Sequence, residues 1–259
     1  MNYDFVLNEY DKELNENLKR KLTDDIAFLV KKNVDITKDK DYHKDTEESK
    51  EDKMSVMVVL KSKNGIVVAT DSRKTIKNNM GQISYDDSQQ KIYAKDNAGF
   101  GIIGPIYNKN DYDYNDFFEE KILRQNMNFE ALSNEITKDS KIYHEMERYS
   151  DNYQNTLALI KNEELYLINC SLKKVAIEKI LDDGIYIFGG FDYELKLFLQ
   201  RKLKMPFDMT YKGLKAKAKE IIKTVISMNT MLGDFSIGGK VQILGLDKSA
   251  GKLEILREE

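Results

Sequence analysis

Hydrophobic residues recur every three or four positions along the first thirty residues, with charged residues between them. The series consists of Leu7, Tyr10, Leu14, Leu18, Leu22, Ile26, Leu29 and Val30. This spacing places the apolar side chains on one face of a helix, so the pattern predicts a helix over residues 1–34. Thirteen of the nineteen residues in the next segment, 35–53, are charged, with both signs mixed. Such a segment buries too little apolar surface to order itself, and we interpret it as a tether.

From residue 55 onward the pattern changes to the short apolar runs of β-strands. SVMVVLKS (55–62) and IVVATDS (66–72) flank Asn64-Gly65, a pair typical of hairpin turns. The polar segment 73–90 predicts a loop. Further strands are predicted at residues 91–95, 98–104, 155–161, 164–170, 174–180, 184–189, 240–247 and 252–257. Helices are predicted as one pair within 111–150 and a second pair near 192–203 and 210–231.

The order of these elements indicates the fold class. Strands, two helices, strands, two helices and strands follow one another along the chain. Helices that come in pairs argue against a doubly wound parallel sheet, in which helices and strands alternate singly. They favour an α+β fold in which layered antiparallel sheets are flanked by helix pairs. The change of pattern also divides the chain into a helical extension with its tether, residues 1–53, and a folded domain, residues 54–259.

Composition and charge exclude several classes of function. The chain has 259 residues, with 41 Lys or Arg against 44 Asp or Glu and a net charge of −3. This balance excludes the strong basic field of nucleic-acid-binding proteins. A single cysteine, Cys170, excludes an internal disulfide, and two histidines make a histidine-rich metal site unfavourable, so we expect no metal and no cofactor. The sequence has neither a signal peptide nor an apolar run of membrane-spanning length, and we expect a cytoplasmic protein with no membrane partner.

Two glycine motifs resemble nucleotide-binding signatures, but neither has the required context. The glycines of residues 99–104 match G-x-G-x-x-G, yet Pro105 and a polar tract follow where a dinucleotide site needs a helix. Gly239-Lys240 is followed by Val241 instead of Ser or Thr, which excludes a Walker phosphate loop. Neither motif is therefore assigned to a nucleotide.

Four polar residues form the remaining candidate site. Ser55 stands just before an apolar strand, and Asp71 and Arg73 lie at the end of the strand that returns from the hairpin. An antiparallel hairpin brings the end of its second strand beside the start of its first, and Lys91 opens another strand. A hydroxyl, a carboxylate and two cations are therefore expected to converge. Charged strand ends are also often simply solvated, and this alternative stays open.

The same stretch resembles the start of proteasome β-type subunits and of the related bacterial two-component ATP-dependent peptidase. Those chains begin with a nucleophilic Thr, a strand, a K-[DN]-G turn and a strand ending A-[TAG]-D-x-R-x-T. Here Ser55, the KNG turn and the D-S-R-K-T segment of residues 71–75 fall in register without a gap. Further matches are Lys91-Ile92-Tyr93, AGFGIIG (98–104), GIYIFGG (184–190) and DFSIGG (234–239). The spelling of these motifs is similar to the bacterial ancestral-beta-subunit (Anbu) group, and the resemblance spans roughly residues 55–250.

The resemblance implies the four-layer αββα sandwich of N-terminal-nucleophile (Ntn) hydrolases and their mechanism. Ser55 would attack a peptide carbonyl, with its own free α-amine as general base. Lys91 would lower the proton affinity at the site, and Asp71 would orient Lys91. The resemblance further implies a polypeptide substrate, a homo-oligomeric ring and an ATP-driven unfolding partner.

Other residues acquire implied roles around this centre. Asp234 and Ser236 would form an outer set of hydrogen bonds. The Gly189-Gly190 region would donate a backbone N–H to the oxyanion hole. Arg73 would be a structural residue at the site.

Three features depart from the family pattern. The nucleophile position holds Ser instead of Thr, Phe188 and Ile237 stand where the family has serines, and Ser55 is not the first residue. An amide nitrogen is not a base, so a chain in which Ser55 is internal is expected to be inactive. Met54 before a small residue resembles a translational start whose Met is removed, and we hypothesise an internal start that exposes Ser55.

Two functions therefore stay open from the sequence. The first is an Ntn-type peptidase, favoured by Asp71, Lys91 and Asp234. The second is a catalytically inactive structural or assembly subunit of the same fold, with the N-terminal helix as its interaction element. The two absent serines and the 54 residues before Ser55 favour the second.

Overall fold

The computed structural model describes residues 55–77, 82–104, 108–109, 112–113, 117–138, 154–171, 174–189, 203 and 208–257. The helix predicted over residues 1–34, the tether and the helix near 192–203 lie outside these ranges. The same is true of most of the second helix predicted within 111–150. The division at residue 53 therefore remains a prediction.

One sheet contains five antiparallel strands in the order β12-β1-β2-β13-β14. Their bounds are Val56–Ser62 for β1, Gly65–Thr70 for β2, Gly184–Gly189 for β12, Gln242–Asp247 for β13 and Lys252–Arg257 for β14. The hairpin predicted at Asn64-Gly65 joins β1 to β2, and Ser62 pairs with Gly65. The central strands β1 and β2 are almost wholly buried, as their unbroken apolar runs require.

The second five-stranded sheet has the order β11-β10-β9-β6-β5 and is also antiparallel. Its bounds are Ile92–Lys95 for β5, Ala98–Ile103 for β6, Gln154–Lys161 for β9, Glu164–Ser171 for β10 and Lys174–Ile180 for β11. All of these strands were predicted from the apolar runs. The strand β5 lies at one edge of this sheet, which matters for the site because Lys91 precedes it directly.

Two segments differ from the sequence prediction. The polar segment 73–90 is not only a loop, because β3 (Lys74–Lys77) and β4 (Ile83–Asp86) pair within it. Thr, Ile and Tyr residues in these two strands favour β-structure, but the charged residues around them hide the strand pattern in the sequence. The helical prediction from residue 111 is wrong at its start, because β7 (Asn108–Lys109) pairs with β8 (Tyr112–Asp113).

Three helical elements belong to the described chain. A π-helix spans Glu119–Arg124, α1 spans Phe129–Lys138 and α2 spans Tyr211–Met231. The helix α2 matches the prediction for 210–231, and the side chain of Thr210 caps it by accepting a hydrogen bond from Gly213 N–H. None of the helices in the described ranges is long and apolar enough to cross a membrane.

The helices cover the outer faces of the two sheets. Alternate residues of β1, β2 and β13 meet residues of β5, β6, β9 and β10 in a shared core; among them are Met57, Val59, Val68, Leu244, Ile92, Ala158 and Ile160. The opposite face of the first sheet packs against α2. The opposite face of the second sheet packs against the π-helix and α1 through a cluster that includes Phe100, Leu157, Phe118, Ile122 and Leu132. The layers are thus helix, sheet, sheet and helix, and the predicted α+β fold with a four-layer αββα sandwich is confirmed.

Gly245 is needed where α2 approaches the first sheet. A Cβ at this position would lie well inside contact distance of the Tyr211 hydroxyl, which donates to Glu254 Oε1 at 2.7 Å. We expect Gly245→Ala to lower the free energy of unfolding by about 1–3 kcal/mol, since overpacking must displace the half-buried ring of Tyr211. Denaturant unfolding measures the change. Gly184→Ala is the matched control in β12, where the added Cβ would meet nothing nearer than 3.4 Å; an equal loss in both variants would contradict this account.

Candidate active site

The hairpin brings Ser55 and Asp71 together at one end of the first sheet. Met57 pairs with Thr70, so the residue that precedes β1 lies beside the residue that follows β2. The N–H of Val56 donates to Asp71 Oδ1 at 3.1 Å, and the N–H of Asp71 donates to the Val56 carbonyl at 3.4 Å. The backbone next to Ser55 is therefore held by the carboxylate and by the strand pairing at once.

Lys91 reaches this pair from the second sheet. Its Nζ donates to Ser55 Oγ at 2.8 Å, to Asp71 Oδ1 at 2.9 Å and to the Arg73 carbonyl at 2.7 Å. An ammonium group has three N–H donors, so all three are used. Lys91 and Asp71 have no exposed surface, and Ser55 is 4% exposed. The structure thus brings together three of the four predicted groups, the Ser55 hydroxyl, the Asp71 carboxylate and the Lys91 ammonium, and this cluster is buried instead of solvated.

Two opposing effects act on the charge of Lys91. Burial lowers the pKa of Lys91 from its ordinary value, and the Asp71 carboxylate works against this by favouring the ammonium. The carboxylate itself is fully hydrogen-bonded, because its second oxygen accepts from Arg73 N–H at 3.3 Å and from Gly238 N–H at 3.2 Å. Three acceptors around Nζ, one of them a carboxylate, fit a protonated lysine that donates to the serine oxygen.

Arg73 is fixed by a partner that the sequence did not indicate. Its guanidinium donates to both oxygens of Asp87, at 2.5 and 2.7 Å, and to the Phe235 carbonyl at 2.9 Å. It also lies over the ring of Tyr85, 5.1 Å from the centroid. Since the carbonyl of Arg73 accepts from Lys91, Asp87 acts indirectly on the placement of the ammonium. Asp87 lies in the segment that was predicted as a loop, and its sequence neighbourhood carried no signal for this contact.

Removal of Asp87 is expected to loosen this side of the site. Asp87→Ala removes a bidentate ion pair and should destabilise the fold by about 1–3 kcal/mol. Arg73 lowers the pKa of Asp87, so this contribution is complete above the ordinary pKa of Asp and is lost as pH falls through the lowered value. Urea unfolding at neutral and acidic pH measures both effects. Asp208→Ala, which removes an exposed ion pair with Lys63, should change stability by less than about 1 kcal/mol; equal losses would contradict the assignment.

Asp234 and Ser236 form a turn of their own. Asp234 Oδ1 accepts from Ser236 N–H at 2.9 Å, and Asp234 N–H donates to the Asn229 carbonyl at 2.9 Å. The hydroxyl of Ser236 is buried and has no hydrogen-bond partner in the described part of the chain. The segment contacts the charged cluster through Gly238, whose N–H donates to Asp71. The predicted outer set of hydrogen bonds from Asp234 and Ser236 therefore remains a prediction.

The remaining predicted positions lie on β12 and in the loop after Asp234. Gly189 pairs with Val56 and so lies across from the residue that follows Ser55; Gly190 lies outside the described residues. Phe188 packs against the core between the sheets, and Ile237 is fully buried. Within the described ranges, no group of three or more His, Cys, Asp or Glu residues is arranged to hold a metal ion.

Proteins similar to this chain are found among solved structures. No protein-family model and no curated protein matches the sequence. Similar solved structures include Anbu from Yersinia bercovieri, with 16% identity, a TM-score of 0.49 and coverage of 78% of this chain and 86% of that chain. An Anbu Gly-1 mutant from Hyphomicrobium sp. strain MC1 has 14% identity, a TM-score of 0.49 and coverage of 78% and 87%. HslV from Trypanosoma brucei has 14% identity, a TM-score of 0.45 and coverage of 78% and 99%.

The layers of this chain follow the order helix, sheet, sheet and helix. The chain therefore has the αββα sandwich that the sequence predicted. Identities of 16% or less concern the fold alone. The chemistry must therefore be argued from the residues of this chain.

Proposed function

We propose that this protein is an Ntn-type peptidase that hydrolyses peptide bonds with Ser55 as nucleophile once the α-amine of Ser55 is free. The observation that carries the proposal is the contact of 2.8 Å between Lys91 Nζ and Ser55 Oγ inside a fully buried ion pair. Burying a lysine is costly unless it is paired, and a buried charge aimed at a hydroxyl is typical of sites where proton affinity is tuned.

The geometry supports a division of labour among these residues. The ammonium of Lys91 donates to Ser55 Oγ and so favours the developing alkoxide. The α-amine of Ser55, a group with an ordinary pKa of about 8, accepts the proton of the Ser55 hydroxyl directly or through a water. The oxygen then attacks the carbonyl carbon, and the amine returns the proton to the leaving nitrogen. Water hydrolyses the acyl-enzyme that remains.

Asp71 supports this chemistry from two sides. Its Oδ1 accepts from Lys91, which favours the charged ammonium, and also from Val56 N–H, which fixes the backbone at the nucleophile. Gly189 pairs with Val56 and is our candidate for the N–H that binds the oxyanion. Asp234 and Ser236 are proposed as an outer set around the amine.

The proposal requires that Ser55 be the first residue of the active form. In a longer chain its nitrogen is an amide, which has no lone pair available as a base. A preparation that begins at Ser55 should therefore hydrolyse unstructured polypeptides, and the full-length preparation should be at least about 100-fold slower. Equal activity of the two forms would overturn the role of the amine, and no activity in either would overturn the peptidase.

Assembly and partners are proposed on the resemblance. We infer a homo-oligomeric ring with a polypeptide substrate and an ATP-driven unfolding partner, in the cytoplasm. Light scattering of the full chain distinguishes a ring from a monomer.

An inactive structural subunit is the second candidate, and two observations favour it. Phe188 and Ile237 occupy with apolar side chains the positions where hydrogen-bonding serines are implied, and the Ser236 hydroxyl has no partner in the described part of the chain. An amine at Ser55 would then have fewer groups to orient it. Inactivity of a chain that begins at Ser55, with an intact fold, would decide for this candidate.

A further inference from the structure

Gln242 joins the two sheets at the point where Lys91 enters the site. It is the first residue of β13 in the first sheet and is 5% exposed. Its Oε1 accepts from the backbone N–H of Lys91 at 3.0 Å, and its Nε2 donates to the Gln89 carbonyl at 2.6 Å. One side-chain amide therefore binds the backbone on both sides of residue 90, much as a neighbouring strand would.

The backbone of Lys91 needs such a partner. Lys91 lies one residue before β5, and its carbonyl accepts from Ile102 N–H of β6 at 3.0 Å. Its own N–H is buried with the rest of the residue, and a buried N–H without a partner is unfavourable. Gln242 satisfies that group from the opposite sheet. An amide side chain carries the acceptor and the donor of this pair of bonds on two separate atoms.

The register of β13 places Gln242 close to the strand end that carries Asp71. Gln242 pairs with Thr70, the residue before Asp71, on the strand that carries the carboxylate to the site. The same side chain thus connects the strand beside Asp71 with the backbone of Lys91. The separation between ammonium and carboxylate depends on how closely the two sheets lie at this end, and Gln242 bridges that gap with hydrogen bonds.

We propose that Gln242 is a positioning residue, which holds the backbone of Lys91 against β13 so that its ammonium meets Ser55 and Asp71. The side-chain amide of Gln242 binds the backbone at Lys91 and Gln89, and not the Ser55 hydroxyl or the Asp71 carboxylate, within the described residues. Gln242 therefore acts through Lys91. The consequence for catalysis rests on the proposed function, whereas the placement of Lys91 does not.

The test is an NMR measurement on the full chain, which needs no enzymatic activity. A buried ammonium with three acceptors exchanges its protons slowly and gives a ¹H–¹⁵N signal, which is assigned by its loss in Lys91→Arg. In Gln242→Leu we expect these protons to exchange at least about tenfold faster, with the rest of the spectrum preserved. The matched control is Leu246→Val, on the same strand and the same face, which loosens the core away from Lys91. An unchanged exchange rate of the Lys91 ammonium protons in Gln242→Leu would overturn the proposal. Equally fast exchange of these protons in Leu246→Val would overturn it too.

A second variant keeps the test decisive if Gln242→Leu does not fold. Gln242→Glu has nearly the same shape and can still accept from Lys91 N–H, but it cannot donate to Gln89. We expect faster exchange of the Lys91 ammonium protons, by about threefold or more. Exchange at the original rate would overturn the proposal.

The kinetic consequence is measured separately. In a form that begins at Ser55, Gln242→Leu should lower kcat by about 10- to 100-fold with KM within a factor of two. Absence of activity in the unaltered form would refute the peptidase and leave the NMR result to decide on Gln242.

Discussion

We expect Ser55→Ala, in a chain that begins at residue 55, to abolish the proposed peptide hydrolysis. Alanine keeps the α-amine and the fold but removes the hydroxyl that lies 2.8 Å from Lys91 Nζ. Loss of the nucleophile in comparable hydrolases costs about 10⁶-fold in rate, and we expect a fall of at least about 10⁴-fold here. Fluorogenic peptides together with an unstructured protein substrate measure the effect.

Two control variants test whether the loss of activity is specific to the Ser55 hydroxyl. Ser62→Ala removes a buried hydroxyl at the other end of the same strand, where Ser62 Oγ accepts from Asn64 N–H, and should leave activity unchanged. Ser55→Thr keeps a hydroxyl and should retain measurable hydrolysis. Activity that persists in Ser55→Ala would show that another residue attacks the substrate.

Lys91→Met is expected to affect both activity and stability. Methionine fills a similar volume but donates nothing to Ser55 and leaves Asp71 without its buried cation. Removing one partner of a buried ion pair typically costs about 3–5 kcal/mol, and we expect an effect near the lower limit because three backbone N–H groups still donate to Asp71. Urea unfolding measures the loss, and kcat in the form beginning at Ser55 should fall by at least about 100-fold.

The control for Lys91 is a lysine whose ion pair faces solvent. Lys179→Met breaks a pair with Glu164 in which both side chains are more than 40% exposed, and it should leave the urea unfolding curve nearly unchanged. Asp71→Asn combined with Lys91→Met should recover part of the stability, because the buried carboxylate is then replaced by a neutral amide. Equal effects of Lys179→Met and Lys91→Met would contradict the central place of the buried pair.

The pH dependence of stability provides a further signature of Lys91. Burial lowers its pKa below the ordinary value of 10.5, so between these two values the unfolded chain binds more protons than the folded chain. The contribution of Lys91 to stability therefore rises with pH across that window and is constant below it. This rise should be missing in Lys91→Met.

The sequence was most informative where local geometry determines a contact. The hairpin turn at Asn64-Gly65 and the strand period were enough to predict that Ser55 and Asp71 lie together, because antiparallel pairing leaves no other arrangement. The paired helices predicted layered antiparallel sheets flanked by helices, and the resemblance implied the four-layer αββα order. The amino-acid sequence alone therefore identifies Ser55, Asp71 and Lys91 as the candidate site.

Contacts between segments that lie far apart in the sequence could not be predicted from local patterns. Asp87 binds Arg73 from the turn that follows β4, and Gln242 binds Lys91 across the two sheets. Neither contact has a periodicity or a motif, since both depend on how the sheets pack. The missed strands β3 and β4 have a related cause, because their apolar residues are exposed and separated by charges; Ile76, Ile83 and Tyr85 are examples.

The mass of the intact protein purified from its native cell tests the central claim most directly. We expect a chain that begins at Ser55, because only that chain has the free amine beside the hydroxyl, Lys91 and Asp71. A purified protein that still carries Met1 or Met54 at its start, in a fraction that hydrolyses peptides, would contradict the mechanism. A chain that begins upstream of Ser55 and hydrolyses nothing would decide for the structural subunit.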